Sequence, residues 1–194
     1  MSEDKLTTAA NRVFRMNIDI QQKWAIYGGA GFIGQHLASS ILSRSATDVV
    51  TLLDLLSPAE QGWKAPLEPF LENGRLSVVK ADVREYGQLE SKSDAFDVMV
   101  NLAAVHREPG HEKEEYFDTN VLGAKNICRL AEEVGCSEII FTSSIAVYGI
   151  HDQPATEHST PLPKMPYGQS KLQAEDIHKT WAGRASGKLS IIRP

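Results

Sequence analysis

The run Lys23-Trp24-Ala25-Ile26-Tyr27 passes directly into Gly28-Gly29-Ala30-Gly31-Phe32-Ile33-Gly34, and this junction narrows the fold more than any other stretch. A short apolar run without a polar alternate face, closed by glycine, predicts a strand buried on both sides, as parallel sheets require. Phe32, Ile33, Leu37, Ile41 and Leu42 then recur at helical spacing and predict a helix over about 31–44. Each glycine has a physical use in such a turn. Gly28 permits the reversal, Gly31 lets main chain approach a ligand with no side chain between, and Gly34 lets the helix sit close on the sheet. The N–H groups opening that helix, with its partial positive charge, suit the phosphates of a dinucleotide.

The rest of the chain repeats the strand-then-helix order. Apolar runs at 49–53 (ending at Asp54), 76–80 (closed by Ala81-Asp82), 96–100 (running into Asn101-Leu102-Ala103-Ala104), 138–141 and 189–192 predict five further strands. One long helix is expected over 112–134 and another over about 166–181. Residues 57–74, rich in proline and glycine, read as a loop with a helical turn near 67–71. Residues 1–21 show no sustained periodicity and read as a flexible lead-in with a short helix near 7–16. Residues 22–194 then form one dinucleotide-binding α/β domain, a doubly wound, mostly parallel sheet with helices on both faces. With 194 residues and 42% apolar content, such a domain can bury a full core.

Composition removes several classes of function. The net charge of −5 comes without a Lys/Arg stripe, which argues against nucleic acid or a membrane surface as partner. No apolar run is long enough for a spanning helix, and the N-terminus lacks a secretory pattern, so a cytoplasmic protein is expected. Cys128 and Cys136 read as reduced thiols and fit no zinc spacing. His106, His111 and Glu112 are read as loop residues beside a cleft, without the ligand set of a metal site. His151 and His158 fall in a polar segment, 150–166, expected on the substrate side.

Asp54, twenty residues after Gly34 and at the end of the second strand, can accept hydrogen bonds from a ribose and would repel a 2′-phosphate. The expected cofactor is therefore NAD rather than NADP. Tyr167 and Lys171 lie one helical turn apart on one face. A phenol titrates near ~10, too high for a base at neutral pH, and a neighbouring ammonium favours the phenolate. Ser144, just past the fifth strand, can hold a substrate oxygen beside that phenol.

These motifs as a set, GGAGFIG, Asp54, Ala81-Asp82-Val83, NLAA, Asn120-Val121-Leu122-Gly123, FTSSIAVYG, PYGQSK and IIRP, resemble the extended short-chain dehydrogenase/reductase family of NAD-dependent nucleotide-sugar epimerases and dehydratases. The resemblance runs from about Lys23 to Pro194 and implies a Rossmann-type fold. It further implies that the Phe32 and Ile33 backbone meets the pyrophosphate and that Asp82 and Val83 meet adenine. Leu102, Ala103 and Ala104 would line the cofactor cleft, Asn120 would brace the site, and Thr142 would approach the nicotinamide. Ser144, Tyr167 and Lys171 would be catalytic, in an enzyme that transfers a hydride transiently from a nucleotide-activated sugar. A homodimer through the helices near 112–134 and 166–181 is implied as well.

Some positions depart from that pattern. Asn101 stands where many relatives have histidine. Ile145 and Ala146 stand where 4,6-dehydratases carry Asp-Glu, so epimerase-like chemistry is expected over elimination. Relatives also continue for another hundred or more residues, and Ile191-Ile192-Arg193-Pro194 reads as a cut before a substrate lobe. Three alternatives follow: a cofactor-binding fragment without catalysis, a small-alcohol or steroid-type dehydrogenase on the same scaffold, and a partner-binding module.

Overall fold

The computed structural model describes residues 21–90, 95–107, 109–150 and 154–194. Strands β1 (Lys23–Tyr27), β2 (Val49–Asp54), β3 (Leu76–Lys80), β4 (Val98–Asn101), β5 (Glu138–Thr142) and β6 (Lys188–Ile192) form one sheet. Their order is β3-β2-β1-β4-β5-β6, and each neighbouring pair is parallel. This is the doubly wound Rossmann arrangement, with the six expected strands in place and only their ends shifted.

Alternation along the central strands explains why both faces must be covered. Ala25, Tyr27, Met99 and Ile139 pack on one side with Ile127, Leu130 and Trp181. Ile26, Leu52, Val98 and Val100 pack on the other with Ala38, Leu42 and Leu67. A strand with both alternate rows apolar can be stable only between two helical layers. Helix α1 (Phe32–Arg44) covers the second side.

Three expectations are refined. Residues 57–74 contain two short helices, α2 (Pro58–Gln61) and α3 (Glu68–Glu72). A capping box starts α2: Ser57 Oγ accepts from Glu60 N, Glu60 Oε2 accepts from Ser57 N, and Pro58 opens the helix. After α4 (Tyr86–Glu90), the single helix expected over 112–134 is α5 (Lys113–Tyr116), a π-helical turn Phe117–Leu122, and α6 (Gly123–Val134). Apolar periodicity cannot distinguish this widened turn from an α-helix, because the hydrophobic face continues through it. A 3₁₀ turn (Ile145–Tyr148) precedes α7, which runs from Pro166 to Ala185, longer than expected.

The expectations for residues 1–20, including the helix near 7–16, and for His151 lie outside the described residues. Among the described residues no helix is long and apolar enough to cross a membrane.

Candidate active site

The strand order reverses between β1 and β4, and a crevice opens beyond their C-terminal ends. Main chain nearly meets main chain there. Gly28 has φ +73°, and a Cβ on it would lie 2.8 Å from Ala103 N. A Cβ on Gly34 would lie 2.5 Å from Gly29 O, and one on Gly29 would lie 2.6 Å from Ile26 O. Contacts that short are repulsive, so α1 reaches this position against the sheet only with glycine. Gly31 is the N-cap of α1 and supplies no side-chain cap, which leaves the first-turn N–H groups for another acceptor.

The crevice has two halves, of about 350 and about 360 Å³, that share Gly28, Gly31, Leu102, Ala104 and His106. Asp54, Asp82, Val83 and Ala103 line the first. Phe32, Ile33, Gly34, Thr142, Ser144, Tyr167 and Lys171 line the second. The expected site residues thus border one continuous cleft, apart from Asn120. His106 is exposed at the junction of the halves, beside the cleft as expected. No group of three potential metal ligands occurs among the described residues.

Asp54 is anchored by main chain: Oδ2 accepts from Ala30 N at 3.0 Å and Oδ1 from Leu55 N at 2.7 Å. This bond to the glycine turn holds the carboxylate at the mouth of the first half. Asp82 is gripped by Arg84, whose Nε donates to Oδ1 at 3.0 Å and whose Nη2 donates to Oδ2 at 2.6 Å. That hydrogen-bonded guanidinium holds the Asp82 carboxyl below the usual carboxylate range.

The second half is built on buried charge. Lys171 is 2% exposed. Its Nζ lies 4.4 Å from the centre of the Phe141 ring. Burial pushes its ammonium down to about 7, with Glu175, one turn further on, pulling the other way. Glu175 is itself fully buried and accepts from Ser143 Oγ at 2.6 Å and from Arg193 Nε and Nη2 at 2.8 and 2.6 Å. Burial pushes the Glu175 carboxyl up, but Arg193, Ser143 and Lys179 together outweigh it and leave the group below its ordinary range. Ser144 caps the 3₁₀ turn, its Oγ accepting from Ala146 N at 3.1 Å, which leaves the hydroxyl hydrogen to donate.

Glycine cradle, uncapped helix start and a carboxylate at the cleft mouth all fit a bound dinucleotide. The model of the NAD-dependent epimerase/dehydratase family matches residues 24–194. The chain belongs to that family.

The family's cofactor is NAD, and the cleft residues fit it. The chain is 40% identical over 115 residues to N-acetyl-α-D-glucosaminyl-diphospho-ditrans,octacis-undecaprenol 4-epimerase of Escherichia coli O157:H7, covering 58% of this chain and 35% of that one. It is 31% identical over 167 residues to UDP-glucose 4-epimerase of Streptococcus mutans, covering 84% and 47%. Among solved structures it resembles the UDP-Glc/GlcNAc 4-epimerase of Campylobacter jejuni, with TM-score 0.77 and 27% identity over 89% of this chain and 53% of that one. The chain spans about half the length of the curated relatives it matches, or less.

Within this family member, Asn120 lies behind the cleft wall, 2% exposed, on the π-helical turn. Its Oδ1 accepts from Val105 N at 2.9 Å, and its Nδ2 donates to Val105 O at 3.1 Å and Ser170 Oγ at 2.9 Å. Ser170 Oγ in turn donates to Tyr167 O at 2.8 Å. Asn120 therefore ties the loop following β4, at Val105, to the start of α7. A π turn at such a point is a recurrent feature of functional sites.

Sequence reasoning missed the Ser143–Glu175–Arg193 cluster. Arg193 also donates from Nη1 to Tyr148 OH at 2.6 Å, and Ser143 N donates to Ile192 O at 2.7 Å. The cluster thus binds α7, β5, β6 and the 3₁₀ turn together just behind Ser144 and Lys171. One signal was present: Glu175 lies four residues after Lys171, on the same helical face. His178 was missed too. It is fully buried, stacks on Phe141 at 4.3 Å, and donates from Nδ1 to Ala174 O at 2.7 Å. Its Nε2 then accepts from Asn101 Nδ2 at 3.5 Å, which gives the unusual Asn101 a partner.

Proposed function

We propose that the intact protein is an NAD-dependent epimerase acting on a nucleotide-activated sugar, with Tyr167, Lys171 and Ser144 carrying the proton chemistry. The observation that carries this reading is the meeting of Thr142, Ser144, Tyr167 and Lys171 with Gly28, Gly31 and Gly34 around one cavity. Bound NAD supplies a reversible hydride acceptor. Tyr167 takes the proton from the sugar hydroxyl and later returns it. Ser144 donates to the same oxygen and holds it in line with the phenol. Lys171 favours the phenolate through its charge and hydrogen-bonds the nicotinamide ribose. Asp54 accepts from the adenosine ribose, while Asp82 and Val83 flank adenine.

The names of the relatives, several of them UDP-glucose 4-epimerases, favour a UDP-sugar as substrate. Ile145 and Ala146 bring no acid to the cleft edge, which favours epimerisation over elimination. A second copy of the chain, docked through the outer faces of α6 and α7, is the assembly assigned to it, and light scattering should give twice the single-chain mass. For the activity itself, full-length protein incubated with NAD and UDP-glucose should form the C4 epimer. No product from any UDP- or GDP-sugar would defeat the reading.

The share of the relatives' length that this chain covers favours one second reading, a cofactor-binding portion that does not turn over alone. Calorimetry separates the two: NAD binding by these 194 residues without turnover supports the second reading, and steady turnover removes it.

A further inference from the structure

We propose that Gln35 is a positioning residue for the cofactor, tying the phosphate turn to the wall of the adenosine end so that NAD affinity depends on that tie. Gln35 stands in the first turn of α1, is 0% exposed and borders neither half of the cleft. Any effect it has on binding must therefore pass through its partners. Its Nε2 donates to Ala30 O, inside the glycine turn, at 2.7 Å and to Gly62 O at 3.4 Å. Its Oε1 accepts from Lys64 N at 2.7 Å. One buried amide thus joins the turn that faces the phosphates to a segment almost thirty residues downstream.

That segment forms the cleft wall. After Asp54 the chain makes an excursion through α2, and its Leu55 and Gln61 line the adenosine half beside Asp54. The capping box of α2 is internal to the excursion and does not attach it to the sheet. Gln35 supplies attachment at the far end, at Gly62 and Lys64. Without the amide, Lys64 N and Ala30 O each lose a buried partner and the wall loosens. Binding would then have to order it, at a cost in affinity. The Gln35 side chain makes no hydrogen bond to β5 or α7, which carry Thr142, Tyr167 and Lys171 of the nicotinamide half.

The inference rests on NAD as the ligand of this cleft. Calorimetric titration of the chain and its Q35M variant with NAD and with ADP-ribose tests it. The expected result is about tenfold weaker binding of both ligands by Q35M, roughly the worth of one net hydrogen bond. Faster hydrogen exchange at the Lys64 amide should accompany it, with the amides of α7 unchanged. Gln61 is partly exposed, so Q61A folds regardless of Q35M and should weaken NAD by itself. The double variant should lose less than the sum of the two single losses, because both act through one wall. Unchanged NAD affinity in Q35M with a fast Lys64 amide, strict additivity, or full affinity in Q61A would overturn the role of Gln35. Failure of the unmodified chain to bind NAD would instead overturn the cofactor reading, and this inference with it.

Discussion

Around Gly28–Gly34 the cleft is made of main chain, whereas around Tyr167 and Lys171 it is made of side chains held in place by buried charge. In the first region, room for a ligand against the main chain comes from what is missing: no Cβ on Gly28, Gly29 or Gly34, and no side-chain cap on α1. In the second, a fully buried carboxylate is matched by Arg193, Ser143 and Lys179, and a buried ammonium sits over Phe141. The difference teaches where each half is vulnerable. Steric intrusion threatens the glycine turn, and an unpaired charge threatens the half around Tyr167 and Lys171.

Tyr167→Phe separates the halves most sharply. In the intact protein kcat should fall by about 10²–10⁴-fold while NAD affinity stays within a few-fold of normal, since the phosphate turn is untouched. Equal losses of both would mean that the halves are not separable.

Next in size is Glu175→Ala, which leaves the half-buried Arg193 without its carboxylate. Denaturant unfolding should show a loss of about 2–4 kcal/mol, allowing for the partial exposure of Arg193. A loss below ~1 kcal/mol would show that the cluster is not what holds β5, β6 and α7 together.

The acid limb of stability should also belong to the second half. Burial, reinforced by the Lys171 cation, pushes His178 down to about 4 from an ordinary 6.5. A histidine depressed in the folded state is protonated first in the unfolded chain, so its contribution is complete above pH 6.5 and is lost as pH falls toward 4. The loss should be on the order of 2–3 kcal/mol across that window. His178→Phe should flatten this slope, and an unchanged slope would remove His178 as its source.

Gly34→Ala should have the smallest effect on folding, about 1–3 kcal/mol from forcing α1 away from Gly29. It should weaken NAD binding yet leave the acid limb as in the unmodified chain. Crystallographic or calorimetric evidence of unperturbed NAD binding in this variant would count against a close-packed phosphate turn.

Legibility followed the same division. The six strands, α1 and the phosphate turn could be read because parallel strands buried on both faces are nearly all apolar, and because glycine at fixed spacing has few other uses. Tyr167, Lys171 and Ser144 could be read as a set because local spacing and their place after β5 mark them. The π turn at Phe117–Leu122 could not, since Phe117, Val121 and Ala124 keep helical spacing through it, and neither could α2, whose capping box lies within a stretch dense in proline and glycine.

What the sequence determined alone is the local chemistry: which backbone can turn tightly, which residues must be buried, and which phenol and ammonium share a helical face. Only the tertiary structure decided which distant groups complete them. Glu175 meets Arg193 and Ser143, His178 meets Phe141 and Asn101, and Gln35 meets Lys64, each across a gap in sequence that no periodicity spans. A buried polar atom takes its partner from whatever the packing brings within about 3 Å, and that is settled when the layers close on the sheet.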